Sequence, residues 1–370
     1  MIKSLYIHIP FCQKICTYCD FAKLVANDKL MEDYLSALIK ELDYYKNQLT
    51  SIKTIHIGGG TPSSLPIHLL ERIFIKLSQI VDLSRLEEFG FETNPNDVSE
   101  SLVTVLKKYH VNRVSLGVES SFNHHLVAMN RSHNIIQVIE AVNILQMKGI
   151  KNYNLDFIYA WPNQTFDELI KDIDFAVKLN PTHLSFYGLI LEPKTKLNFD
   201  YEHRKIQLID EDTDASMYEY LMKELPKLGF EQYEISNYAK PGFESKHNLT
   251  YWQIEEYLGI GMGAHSQVNA KRFHNFSSIK DYISSVNTEG YGFQSEDACD
   301  LMQETFIMGL RLNVGVNVNH FKQRFSLDPL ILYPDIQKNI NELLLVYEND
   351  VIKLTDRGRL LLNYVEQSFI

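Results

Sequence analysis

Cys12, Cys16 and Cys19 stand within eight residues of one another, in the run His8-Ile9-Pro10-Phe11-Cys12-Gln13-Lys14-Ile15-Cys16-Thr17-Tyr18-Cys19-Asp20-Phe21. The one remaining cysteine, Cys299, lies far along the chain. The spacing is C-x3-C-x2-C, with Tyr18 just before the last thiol. Three thiolates so placed can fill three irons of a four-iron cluster and leave the fourth iron open to a cofactor or substrate. Other readings exist. Cys16 and Cys19 form a C-x-x-C pair suited to thiol redox chemistry, but that leaves Cys12 idle and lacks a thioredoxin-like context. Structural zinc wants a fourth ligand, and His8 sits on the preceding strand. Buried cysteines acting as small hydrophobes rarely come three in eight residues.

Further along, Gly58-Gly59-Gly60-Thr61-Pro62 directly follows an apolar strand. Consecutive glycines let backbone N–H groups come close to a ligand, although such a turn also serves as a plain tight connection and matches no phosphate-loop fingerprint. Glu92 and Asp156 stand near strand ends, where carboxylates can hold hydroxyl or amino groups or serve as caps and rim salt bridges. Arg131 can meet a carboxylate bidentately; taken alone it reads as a surface charge. The run His247-Asn248-Leu249-Thr250-Tyr251-Trp252 concentrates an imidazole and two large aromatics. Imidazole is a common heme-iron ligand and aromatic rings can sandwich a porphyrin; the plainer reading is an aromatic core strand with a hydrogen-bonded histidine.

These residues need a scaffold, and the pattern supplies one. Strand-like stretches at 4–9, 53–57, 88–92, 113–118, 153–159 and 183–189 alternate with helical periodicity at 30–45, 67–77, 102–106, 135–147 and 166–179. Ser99 is placed to cap the third helix and Gly149 to stop the fourth. Strand then helix, repeated about six times, predicts parallel strands with covering helices, best fitted by a partial (β/α)6 barrel with its chemistry at the C-terminal strand ends; a doubly wound sheet shares the pattern. A helix at 212–225 and a short strand at 231–235 follow. Near residue 238 the character changes, so a boundary is expected there: residues 1–238 as the barrel, 239–370 as a smaller, mainly helical C-terminal domain. A helix is expected near 296–310. The ending, a short strand at 351–354 and a helix at 357–365, reads as winged-helix-like. Its acidic residues match its basic ones, which favours packing or docking over DNA binding.

With 370 residues, 45% hydrophobic and 22% charged, the chain has the composition of a water-soluble protein of about two domains. No apolar run approaches a membrane span. The absence of a signal peptide and the three clustered thiols point to a reducing, cytoplasmic setting. A net charge of −11 argues against nonspecific nucleic-acid binding.

Taken together, Tyr6-Ile7-His8-Ile9-Pro10-Phe11-Cys12 through Cys19, the Gly-Gly-Gly-Thr-Pro turn, Glu92-Thr93-Asn94-Pro95, Arg113-Val114-Ser115-Leu116-Gly117-Val118 and Asn154-Leu155-Asp156 resemble the radical S-adenosylmethionine (SAM) superfamily. The resemblance covers nearly the whole chain and lies in the branch of oxygen-independent coproporphyrinogen III oxidases. Within that branch the chain is more similar to HemW-type heme chaperones. Phe21 stands where the oxidases carry a further cysteine, the first strand begins without their N-terminal extension, and His247 to Trp252 and Gly259 to Ser266 fit the chaperone pattern.

The resemblance implies that Cys12, Cys16 and Cys19 bind a [4Fe-4S] cluster whose open iron is completed by SAM. It implies SAM contacts from Tyr6, Tyr18, Gly59, Gly60, Thr61, Glu92, Glu119, Arg131 and Asp156, with Gly188 and His265 as outlying ones. His247 is the implied heme-handling residue, with Tyr251 and Trp252 shaping its pocket. The implied function is heme binding and transfer to an acceptor hemoprotein, respiratory ones included. The alternative is an enzyme, radical oxidative decarboxylation of coproporphyrinogen III, whose turnover is not expected here. Two departures stand out: Glu119 where the family usually has Gln, and Ala160-Trp161-Pro162 where it favours Gly-Leu-Pro.

Overall fold

The computed structural model describes residues 2–370. Six strands, β1 (Ser4–Ile9), β2 (Thr54–Gly59), β3 (Glu88–Thr93), β4 (Arg113–Glu119), β5 (Tyr153–Tyr159) and β6 (His183–Gly188), lie side by side in chain order. Each is parallel to the next. Helices Asp28–Tyr45, Ile67–Ile80, Glu100–Lys108, Ile135–Met147 and Phe166–Lys178 make the crossovers. Their starts follow local chemistry. Asn27 and Ser99 accept N-terminal N–H groups, and Asn134/Gln137 and Thr165/Glu168 form reciprocal capping boxes.

Among the described residues β1 and β6 do not pair, so the barrel is partial. Strand Tyr257–Ile260 runs parallel to the outer edge of β1, and strand Asn237–Ala239 runs antiparallel to that of β6. Strands His265–Val268, Lys271–Asn275 and Phe293–Ala298 extend the sheet beyond Tyr257–Ile260. The main apolar core accordingly reaches Leu258, Ile260, Met262, Tyr282 and Val286. The expected division at 238 therefore coincides with no break in the sheet; residues 239–298 pack with the barrel. A separate core, built on Phe306, Val318, Phe321, Ile336, Ile352 and Val365, begins after the sheet ends.

This last unit combines helices with a three-stranded antiparallel sheet, Val316–Asn317, Val351–Leu354 and Leu345–Glu348. Its hairpin turns through Asn349 and Asp350, both at positive φ, the residue types that tolerate that conformation. Three local expectations change. The segment at 293–298 is a strand, because it pairs with Lys271–Asn275, and the helix starts only at Leu301 under the Asp300 cap. The terminal helix is broken at Leu361 into Asp356–Leu360 and Leu362–Glu366. Residues 246–252 form a helix, not an aromatic strand, because Ser245 caps it by accepting from the Asn248 N–H.

The strands alternate, with Ile158 the apolar exception on the inward face. Apolar side chains face the helices, and polar ones and glycines face inward, in registered layers. Tyr6, His56, Gly90 and Arg113 stand opposite one another. Glu92, Ser115, Asn154 and His183 form the next layer, and Gly117, Asp156 and Ser185 the one above. Period-two alternation in a parallel sheet covered by helices on one face leaves a polar lumen on the other.

Candidate active site at the barrel mouth

The cysteine loop rises from the C-terminal end of β1. It closes on itself where the Cys12 N–H donates to Leu24 O at 3.0 Å and the Leu24 N–H to Pro10 O at 2.8 Å. Thr17 N–H donates to Met129 O and Thr17 O accepts from Leu197 N–H, pinning the loop between two neighbouring segments. Below it Tyr18 meets Trp161 edge-on at 6.0 Å, in a small apolar cluster with Met129 and Leu197. All three cysteines are free thiols, half-buried, and open into one cavity of about 1470 Å³. Burial holds the Cys12 thiol above its ordinary pKa and pushes Cys19 up to about 11.

The Gly58–Pro62 turn approaches this loop as its residue types suggest. A Cβ on Gly60 would lie 2.9 Å from Cys12 Sγ, so only glycine fits there. Thr61 Oγ1 donates to Cys12 Sγ at 3.8 Å. Arg131 is the hub of the mouth. Its Nη1 lies 3.4 Å from Cys16 Sγ, 3.4 Å from Tyr18 Oη and 3.3 Å from Glu119 Oε1. Its Nη2 donates to Asn94 Oδ1 at 2.8 Å and Gly117 O at 2.7 Å, while its buried Nε has no partner. A Cβ on Gly117 would meet that guanidinium at 2.7 Å.

Three carboxylates face the same space. Burial raises Glu119 above its ordinary range despite the Arg131 charge. Burial, with Glu119 nearby, pushes Asp156 up to about 7, although Asn154 Nδ2 donates to it at 2.7 Å. Glu92 accepts from His56 Nε2 or ion-pairs with it at 2.9 Å and accepts the Gly59 N–H at 3.1 Å. Glu119 and Ala160 both hold φ near +60° (67° and 60°). Ala160 thus occupies the left-handed conformation that the glycine favoured at this turn would take without strain.

Of the expected SAM contacts, Tyr18, Gly59, Gly60, Thr61, Glu92, Glu119, Arg131, Asp156 and Gly188 line the cavity with the cysteines. Tyr6 and His265 do not. Tyr6 Oη is hydrogen-bonded to His8 Nδ1 at 2.9 Å, and exposed His265 stacks on His274. Sequence reasoning missed His56, Asn94 and Lys23, which also line the cavity. The polar alternation within β2 and the quoted Glu92–Pro95 motif were the available signals for the first two. The donor set suits the implied groups: three free thiols on one loop, and a fixed guanidinium with an orphaned N–H beside them, ready for a carboxylate.

The run at 246–252 lies elsewhere, beneath the N-terminal ends of β1–β3. Glu88 accepts from Ser245 Oγ and from the N–H groups of Lys246 and His247, holding the start of this short helix. His247 is buried, with Nδ1 2.9 Å from Thr54 Oγ1 and Nε2 2.7 Å from Tyr251 Oη. Burial, reinforced by His56, keeps it neutral. The expectation that every chemical motif falls at the C-terminal strand ends is therefore not met for this one. Neither His247 nor Tyr251 lines the cavity; Trp252 does, at its lower end, with an unpartnered Nε1 and the Arg311 guanidinium 4.7 Å above its ring.

Comparison with known proteins bears on both ends. The Radical SAM superfamily profile matches residues 6–176, and that of the HemN C-terminal domain matches 297–361. The chain is 38% identical to the heme chaperone HemW of Lactococcus lactis, over 99% of this chain and 97% of that one. It is 35% identical to the HemW of Bacillus subtilis, covering 100% and 99%, and 31% identical to that of Escherichia coli, covering 99% and 98%. In structure it is similar to the radical SAM enzyme coproporphyrinogen III oxidase (HemN) of Escherichia coli, with TM-score 0.86 and 22% identity, covering 100% of this chain and 90% of that one. No helix among the described residues is long and apolar enough to cross a membrane.

Proposed function

The chain belongs to the HemW family of the radical SAM superfamily, and on that premise we propose that it is a cytoplasmic heme chaperone, which binds heme and passes it to an acceptor hemoprotein. The observation that carries the reading is the single cavity bounded by the three cysteines at one end and by Trp252 under Arg311 at the other. Its volume, about 1470 Å³, exceeds the roughly 300–1,000 Å³ of an ordinary small-molecule pocket, so it has room for more than one ligand.

Cys12, Cys16 and Cys19 would hold a [4Fe-4S] cluster, and SAM would complete it; together these groups supply one-electron chemistry when bound. The protein's own contribution is positional. Arg131 and the Gly59–Thr61 backbone orient a carboxylate and an amino group beside the open corner. Glu92 and Asp156 accept from hydroxyls, and the cysteine loop with Trp161 beneath it shields the mouth from water. Heme would be handled from the helix 246–252. Trp252 offers a ring face and Arg311 a cation for a propionate, while His247, through Tyr251 and Thr54, fixes the helix that carries them.

Anaerobically reconstituted protein titrated with heme tests this reading. Saturable binding near one heme per chain is expected, weakened about tenfold by Trp252→Ala, a loss of about 1.4 kcal/mol. Absence of saturable heme binding, together with turnover of coproporphyrinogen III to vinyl products, would replace the chaperone with the oxidase.

A further inference from the structure

Outside the cavity, two imidazoles and a carboxylate converge on the outer rim of the barrel. His124 and His125 are consecutive in the short helix Asn123–Ala128, and Glu168 is in the first turn of Phe166–Lys178. His124 Nε2 lies 3.2 Å from Glu168 Oε1, and His125 Nε2 lies 3.4 Å from Glu168 Oε2. One donor atom from each of the three falls within 4.8 Å of the others. The two rings are 4.1 Å apart between centroids, and Phe122 packs against both.

Neighbouring helix residues do not normally face one target, so this convergence is built by the surroundings. Asp172 accepts the Ser121 N–H at 2.6 Å and lies within hydrogen-bonding reach of Ser120 Oγ and Gln164 Nε2. That network ties the loop after β4 to the helix bearing Glu168. The Glu168 carboxylate is itself oriented by the Thr165 N–H at 2.8 Å and Thr165 Oγ1 at 3.1 Å, an outer contact of the kind that fixes metal-ligating carboxylates. His125 is buried with Nε2 lacking a hydrogen-bond partner, while His124 is exposed.

We propose that His124, His125 and Glu168 form a binding site for a divalent transition metal, zinc by its donor set, with the solvent side left for water. Two nitrogens and a carboxylate oxygen are a usual zinc set. The two rings reach the two oxygens of the one carboxylate, at 3.2 and 3.4 Å, so all three side chains already face a common point. The site would brace the 119–131 segment, whose ends deliver Glu119 and Arg131 to the mouth; it does not depend on the heme reading.

The test uses full-length, cluster-loaded protein stripped of loosely bound metal and dialysed against zinc under anaerobic conditions. One zinc per chain is expected, with zinc-edge X-ray absorption showing N/O neighbours near about 2.0–2.1 Å and no sulfur near about 2.3 Å. His124→Ala changes an exposed side chain, and Glu168→Gln keeps the capping box; each is expected to loosen zinc by about tenfold or more. Zinc should also raise the melting temperature of the parent protein and not that of His124→Ala. Equal zinc binding by parent and both variants, sulfur ligation, or no saturable binding would overturn the proposal and leave an ordinary ion pair.

Discussion

At the N-terminal ends of the strands, Ser4, Thr54, Thr250 and His247 bond one another, and Glu88 takes three donors from one helix start. At the C-terminal ends of the same strands, Arg131 Nε is buried without a partner, burial raises the pKa of the Glu119 and Asp156 carboxyls, and Glu119 and Ala160 sit in strained backbone. The Glu88 and Ser4–Thr54–His247 groups of the floor are satisfied internally, Trp252 Nε1 on the cavity wall excepted; around Arg131 the mouth leaves its groups short. Buried polar groups normally find partners, so a cluster that lacks them marks where a ligand completes the set.

The sharpest break comes from the mouth. Cys16→Ser removes one of the three proposed iron ligands, and iron and sulfide counts after anaerobic reconstitution should fall to background while the fold persists by circular dichroism. Next is Asp156. Its carboxyl has a folded pKa of about 7 against an ordinary 3.8, so the folded state binds the extra proton between those values. Stability of the ligand-free protein should therefore fall as pH rises from about 4 to about 7 and level off above. Asp156→Asn should flatten that slope by the Asp156 share and stabilise the protein by roughly 2–4 kcal/mol at pH 7.5, at 1.36 kcal/mol per pKa unit, while weakening SAM binding. Denaturant titrations across pH read the first effect and calorimetry the second.

The floor should respond in the opposite sense. Glu88→Ala strips three donors of their acceptor and should cost roughly 3 kcal/mol in denaturant unfolding, with iron content unchanged. A Glu88→Ala protein as stable as the parent would erase the contrast between the two ends. The smallest effect is expected at Ala160→Gly. Relieving the positive φ should stabilise by about 1 kcal/mol, seen as a higher melting temperature, since the strain there exceeds what the added chain freedom costs.

Much of this was legible beforehand. The helix Ile135–Met147 and strands Tyr153–Tyr159 and Val351–Leu354 fall where periodicity and caps put them, because those signals are local. The strands at 265–268, 271–275 and 293–298 were missed: the first two form a hairpin that turns through Asn269 and Ala270, without the glycine that marks such turns, and the third pairs back only after an intervening helix. The run at 246–252 was read for its residue types, and types do not say which end of a barrel a helix caps. The metal-like trio needed two helices to meet, with His125 and Glu168 more than forty positions apart.

Spacing within eight residues was enough to place three thiols on one loop, since a short chain cannot carry them far apart. Alternation was enough to make a polar lumen, since successive side chains on a strand point opposite ways. Which polar atoms find partners, which stay unmet around Arg131, and whether His247 faces a ligand or a floor were decided only when distant segments packed. Desolvation and hydrogen-bond geometry depend on those neighbours and not on the chain alone.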